Sequence, residues 1–150
     1  MNHLLFAMTA ALVTLGASMT AAADHSIKHA TLYKNPSCDC CEEYAGYLRK
    51  SGYEVDVVPT HDLDRIKREH GVPEALAGCH TTLVGGYVVE GHVPLKTLNR
   101  LLAEKPRITG ISLPGMPQGS PGMSGQKSEP FKIYEISKRT PAGVCNRVTD

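Results

Sequence analysis

The sequence lacks a charge surplus: 16 basic and 15 acidic residues leave a formal net charge of +1 over 150 positions. That balance gives no electrostatic footprint for nucleic acid or for an anionic membrane surface, so a small ligand or a protein partner is the expected counterpart. Charge is missing altogether from Met1 to Ala23, where no Asp, Glu, Lys or Arg occurs. Leu4 to Leu15 reads as the apolar centre of an export signal, and Ala21-Ala22-Ala23 supplies the small residues that precede a cleavage site. Residues 1–23 are thus expected to be a signal peptide and 24–150 one domain, a length that suits a single core. Only the amino terminus and His3 carry positive charge ahead of the apolar run, which leaves an uncleaved anchor or a later start as alternatives. No other stretch approaches the ~20 apolar residues of a membrane helix, so no membrane association is expected after cleavage.

An even number of cysteines is also lacking. There are five, three of them crowded into Cys38-Asp39-Cys40-Cys41, which does not suit a structural disulfide framework. Neighbouring Cys40 and Cys41 have Cα atoms ~3.8 Å apart, below the ~4.4 Å lower end for ordinary disulfides. Cys38 and Cys41, in contrast, have the Cys-x-x-Cys spacing that forms a redox-active disulfide where a helix begins. Cys40 is then a surplus third thiol.

Ala30 to Lys34 reads as a strand stopped by Asn35-Pro36-Ser37. Cys41 to Lys50 has helical spacing through Tyr44, Ala45, Tyr47 and Leu48 and ends at Gly52. Tyr53 to Val58 alternates as a half-buried strand, and Thr60 to His70 reads as a second helix with Leu63 and Ile66 inward. Thr81 to Val84 and Tyr87 to Glu90 are strand-like runs joined by Gly85-Gly86, a hairpin signal. Pro94 opens a third helix containing Leu95, Leu98, Leu101 and Leu102, and Pro106 closes it. The order β-α-β-α-β-β-α is that of a thioredoxin or glutaredoxin core. Leu113 to Ser128, with Pro-Gly-Met at 114–116 and again at 121–123, must be a loop, and Phe131 to Ile136 is expected to add an edge strand. Thr140 to Asp150 is a polar tail.

Three thiols between a strand and a helix start make a chemically distinctive cluster. Backbone N–H groups and the positive helix end favour thiolate, although Asp39 opposes this, and thiolates suit Cu(I), zinc or an iron–sulfur cluster. Cys79 and His80 precede the third strand, where a thioredoxin fold sets a loop, usually bearing proline, against the cysteine turn. No proline stands there, and a thiol and an imidazole are offered instead. His92, between the hairpin and the third helix, and the thioethers of Met116 and Met123 in the Gly/Pro loop complete the candidate ligands. His25 and His29 are left out as tail residues, and His61 and His70 fall on opposite helix faces. Cys145 is isolated near the C-terminus.

The chain resembles the bacterial DUF411 metal-binding proteins, some of which serve copper resistance. The resemblance runs from Leu32-Tyr33-Lys34-Asn35-Pro36-Ser37-Cys38 through Gly78-Cys79-His80-Thr81, Val84-Gly85-Gly86-Tyr87, Glu90-Gly91-His92-Val93-Pro94 and Pro114-Gly115-Met116-Pro117. Its specific part is Cys-x-Cys-Cys. It implies a periplasmic thioredoxin-like protein of copper tolerance that changes the oxidation state of copper in a multinuclear cluster and works beside other periplasmic copper-handling proteins. Cys38, Cys40 and Cys41 carry over directly as metal ligands, and Cys79, His80, His92, Met116 and Met123 match motif positions. The tail bearing Cys145 departs from the short ending the resemblance implies.

The leading expectation is a copper-binding protein in which thiolates hold Cu(I), imidazole or thioether completes the shell, and imidazole also serves Cu(II). Copper oxidoreductase activity would be an added step. The rival is a thiol–disulfide oxidoreductase in which Cys38 attacks and Cys41 resolves. A zinc-stabilised structural module is poorer, because it gives the methionine loops no role.

Overall fold

The computed structural model describes residues 28–137. Strand β1 (Lys28–Lys34) leads into helix α1 (Asp39–Lys50), strand β2 (Tyr53–Pro59) and helix α2 (Leu63–Glu69). A short 3-10 turn, Glu74–Leu76, precedes the hairpin of β3 (His80–Val84) and β4 (Tyr87–Glu90). Helix α3 (Leu95–Glu104), β5 (Gly110–Ser112) and β6 (Tyr134–Ile136) complete the chain. The six strands form one mixed sheet ordered β2-β1-β3-β4-β5-β6. β1 and β2 are parallel, as are β4 and β5, and in each case a helix supplies the crossover that parallel strands need. β3 lies antiparallel to both β1 and β4.

The local chemistry explains most of this. Gly85 and Gly86 have φ of +57° and +83°, the positive pair that a tight two-residue hairpin demands. On α1, Cys41, Tyr44, Ala45 and Leu48 are buried at three- and four-residue spacing. They meet Leu32, Val89, Val93 and Leu98 in the main core. Among the described residues, no helix is long and apolar enough to cross a membrane.

The structure corrects several expected boundaries. α1 starts two residues before Cys41. The Asn35 side-chain oxygen accepts the Ser37 N–H at 3.1 Å and its carbonyl accepts the Cys38 N–H at 3.0 Å, so the chain turns early and Cys38 becomes the N-cap. α2 begins at Leu63 because the Thr60 hydroxyl accepts the Asp62 N–H at 3.0 Å and holds a turn there. β5 was not expected: three residues are too few to show alternation. It limits β6 in turn, since Tyr134–Ile136 pair with Gly110–Ser112 alone, and the expected strand from Phe131 is shorter. The expected signal segment and Cys145 lie outside the described residues.

Candidate metal centre

The cysteine run sits where β1 ends and α1 begins, so Cys40 and Cys41 occupy the first turn of a twelve-residue helix. Cys38 and Cys41 are joined by a disulfide, the pairing their spacing permits. Cys40 and Cys79 are free and half-buried. The Cys40 sulfur lies 3.5 Å from that of Cys38 and 4.0 Å from that of Cys79. The Cys41 sulfur stands 3.6 Å from the Cys79 carbonyl oxygen. Beneath the turn, the buried Lys34 ammonium donates to the Pro36 carbonyl at 3.2 Å and pairs with Glu42 at 3.0 Å. The strand end and the helix start are thereby tied together.

Cys79 is the junction between sulfur and imidazole. Its Sγ lies 2.9 Å from His92 Nε2 and 3.3 Å from His80 Nδ1. His92 Nδ1 lies 2.7 Å from the Pro121 carbonyl, which can only accept, so Nδ1 carries the proton. Neutral His92 therefore presents the lone pair of Nε2 to Cys79, whose thiol donates to it. Burial, helped by neighbouring Cys40, pushes the Cys79 thiol up to about 12, so it keeps its proton at neutral pH. Burial also drives both imidazoles below their ordinary value, His80 strongly so, with His92 and Lys67 adding to the effect on His80. Both are uncharged and able to act as ligands. His80 Nε2 is buried with no hydrogen-bond partner. Such an orphan costs about 1–3 kcal/mol and calls for an explanation.

Two glycines allow the close approach of the segments that carry Cys79 and His92. A Cβ on Gly78 would stand 2.8 Å from Gly91 Cα, and one on Gly91 would stand 2.4 Å from the Leu113 carbonyl oxygen. Gly115, joined to Gly78 by a β-bridge, brings the third segment alongside. The loop returns over α1 at Gly122 (φ +82°), where a Cβ would meet Tyr44 N at 2.7 Å and Cys40 O at 3.0 Å. Met123 thus follows a residue seated on the cysteine turn and is half-buried, whereas Met116 is 56% exposed.

Of the eight residues singled out in the sequence, the ligand atoms of Cys38, Cys40, Cys41 and Cys79 fall within 4.8 Å of one another, and so do those of Cys79, His80 and His92. Cys79 belongs to both groups. An ion bonded to sulfur at ~2.3 Å holds tetrahedral ligands ~3.8 Å apart, close to the spacing of Cys40 from Cys38 and Cys79. The disulfide must be opened before Cys38 and Cys41 can serve as thiolates. Sequence reasoning took Tyr44 only as a helical core position. Its ring packs 4.6 Å from His80 and 5.5 Å from His92, and its hydroxyl donates to the Val93 carbonyl at 2.8 Å. Burial pushes its pKa far above the ordinary phenol value, so it remains neutral. A second omission, the buried pair Lys67 and Glu90, stands beside Gly78.

A sheet flanked by helices gathers four cysteine sulfurs and two neutral imidazoles at one helix start, a donor set that could hold a soft metal ion. Comparison with known proteins narrows the class. Residues 76–123 match the family DUF411, described as a protein of unknown function. Two solved structures, Form 2 and Form 1 of "Copper resistance protein copG", are each 29% identical to the chain and cover 81% of it and 98% of their own length. Their TM-scores are 0.73 and 0.71. No curated protein matches the chain.

Proposed function

We propose that this chain is an exported, periplasmic copper-handling protein of copper tolerance that holds Cu(I) between the Cys38–Cys41 turn and Cys79. The observation that carries the reading is the convergence on Cys79 of the free Cys40 thiol, the neighbouring Cys38–Cys41 pair and two neutral histidines. Thiolates select soft Cu(I), and the imidazoles of His80 and His92 add donors that also serve Cu(II), which supports a change of copper oxidation state at the same site. His80 Nδ1, 3.3 Å from the Cys79 sulfur, and the fixed tautomer of His92 fit ligand roles better than packing roles. Met123, beside the cysteine turn, is the better placed thioether, and Met116 is an exposed donor for incoming copper. Several bridging sulfurs suit more than one copper ion. The strand order β2-β1-β3-β4, with β1 and β2 parallel, supports the thioredoxin-like reading of the scaffold. The copper resistance proteins with which the chain shares its fold and 29% of its residues point the same way.

The test is an anaerobic titration of the dithiol-reduced protein with Cu(I) in competition with Zn(II). Copper binding at more than one ion per chain, undisturbed by excess zinc, is the expected result. Zinc retained against excess Cu(I), or no copper at all, overturns the reading. The Cys38–Cys41 disulfide favours a second reading, thiol–disulfide exchange. Cys40→Ser separates the two: tight copper binding should be lost while that disulfide still forms. Full copper binding in Cys40→Ser, together with loss of disulfide reductase activity in Cys38→Ser, would favour the exchange enzyme.

A further inference from the structure

We propose that Glu90 is a positioning residue for the metal centre, its buried carboxylate setting the distance between Cys79 and His92. The inference rests on the copper-site reading for its functional meaning, but its geometry is independent of any metal.

Glu90 ends β4 and is fully buried. Its Oε1 accepts the Gly78 N–H at 2.7 Å and receives the ammonium of Lys67, which crosses from α2. Its Oε2 accepts the Thr81 hydroxyl at 2.7 Å, and Lys67 Nζ also donates to Thr81 at 3.2 Å. One carboxylate therefore clamps Gly78, the residue before Cys79, to the strand that continues through Gly91 into His92. The Glu90 backbone carbonyl accepts the Leu113 N–H at 3.0 Å, drawing in the segment that leads to Met116. Position 90 thus holds all three segments that meet around Cys79.

A buried ion pair is weak evidence for stability, because desolvation offsets the attraction and an apolar pair of similar volume often does as well. Here the carboxylate has a role that an apolar side chain cannot fill. It is an acceptor for a backbone N–H that no strand ladder uses, and that N–H belongs to the turn carrying a ligand. Gly78 keeps no side chain of its own to anchor the turn, so the anchor comes from across the sheet.

The experiment uses the full chain with Glu90→Leu and Lys67→Met combined, which removes both charges together, beside Glu90→Gln and Thr81→Val. Glu90→Gln retains an oxygen for Gly78 and Lys67 and is the conservative rescue. In the reduced, copper-free protein, the rate of Cys79 alkylation should rise roughly tenfold or more in the double variant, stay near the parent in Glu90→Gln, and lie between the two in Thr81→Val. The His92 Nδ1 and Nε2 resonances should shift in the double variant alone. With Cu(I) added, the thiolate-to-copper absorption should change in the double variant and be restored in Glu90→Gln. Equal alkylation rates and unchanged histidine resonances across the set overturn the inference. If the double variant does not fold, Thr81→Val decides it, and a parent-like rate of Cys79 alkylation there overturns it. Should the parent bind no copper, the copper reading fails, and the copper-free measurements still judge the role of Glu90.

Discussion

Gly78→Ala adds one methyl group at the tightest point beside the centre. Gly78 is not among the glycines with positive φ, so alanine meets no backbone penalty there and the perturbation is purely steric. Its Cβ would stand 2.8 Å from Gly91 Cα and 3.0 Å from Gly91 N. Carbon atoms rest at ~3.5–4.0 Å, so the two segments must part by something near 1 Å. Both are backbone, and Gly91 is already pressed against the Leu113 carbonyl. The Gly78 N–H bond to Glu90 at 2.7 Å and the Cys79 contact with His92 at 2.9 Å span the same gap. Overpacking costs about 1–3 kcal/mol, and losing a bond to a charged acceptor about 1.5–3 kcal/mol. The two overlap, giving about 2–5 kcal/mol together. Urea unfolding of the copper-free protein measures this loss, and Cu(I) titration should show fewer ions per chain. A destabilisation below about 0.5 kcal/mol with unchanged copper binding would refute the reasoning.

Burial lowers His80 and His92 relative to the unfolded chain, so between 6.5 and their folded values the unfolded state binds more protons, and their stabilising effect, complete above 6.5, is lost as pH falls. Glu90, pushed up by burial, works in the opposite direction. The melting temperature should therefore fall less on acidification from about pH 8 to about pH 5 in His92→Gln than in the parent, and an equal fall counts against the assignment. Because the Cys79 proton must leave when Cu(I) binds, apparent copper affinity should rise about tenfold per pH unit through Cys79, and Cys79→Ser should flatten that slope. Gly122→Ala combines a positive φ with a 2.7 Å contact on Tyr44 N and should unseat the 121–123 turn. Faster proteolysis within 113–128 and weaker copper binding are expected, and a parent-like cleavage rate would contradict the seating.

Much of the centre was legible because its chemistry is carried by rare residue types at close spacing. Cys38, Cys40 and Cys41 mark a helix start beside a strand end, and Cys79-His80 announced a second turn with candidate ligands. What remained hidden was carried by residues with a common alternative use. Lys67 lies between Arg65, Arg68 and Glu69 on α2, a stretch that reads as a solvated helix face, yet Lys67 is buried while those three are exposed. Glu90 ends a strand, where a charge usually meets water, but β5 closes over that edge, and β5 was too short to be seen. Tyr44 had the spacing of a core residue and is one. Its contact with His80 joins residues far apart in the chain, which no local pattern reports.

The loop that bears Met116 and Met123 leaves the sheet at β5 and returns to it at β6, and these strands are direct antiparallel neighbours. Its two ends are therefore fixed side by side at a distance that does not depend on how many residues lie between them. Lengthening or shortening such a loop costs little, because the closure entropy grows only with the logarithm of its length. The sulfur and imidazole donors come from elements on the other side of that anchorage. Changes of length are accordingly expected to be tolerated only outside 115–123, where Gly115 bridges Gly78, the Pro121 carbonyl holds His92 and Gly122 sits against α1.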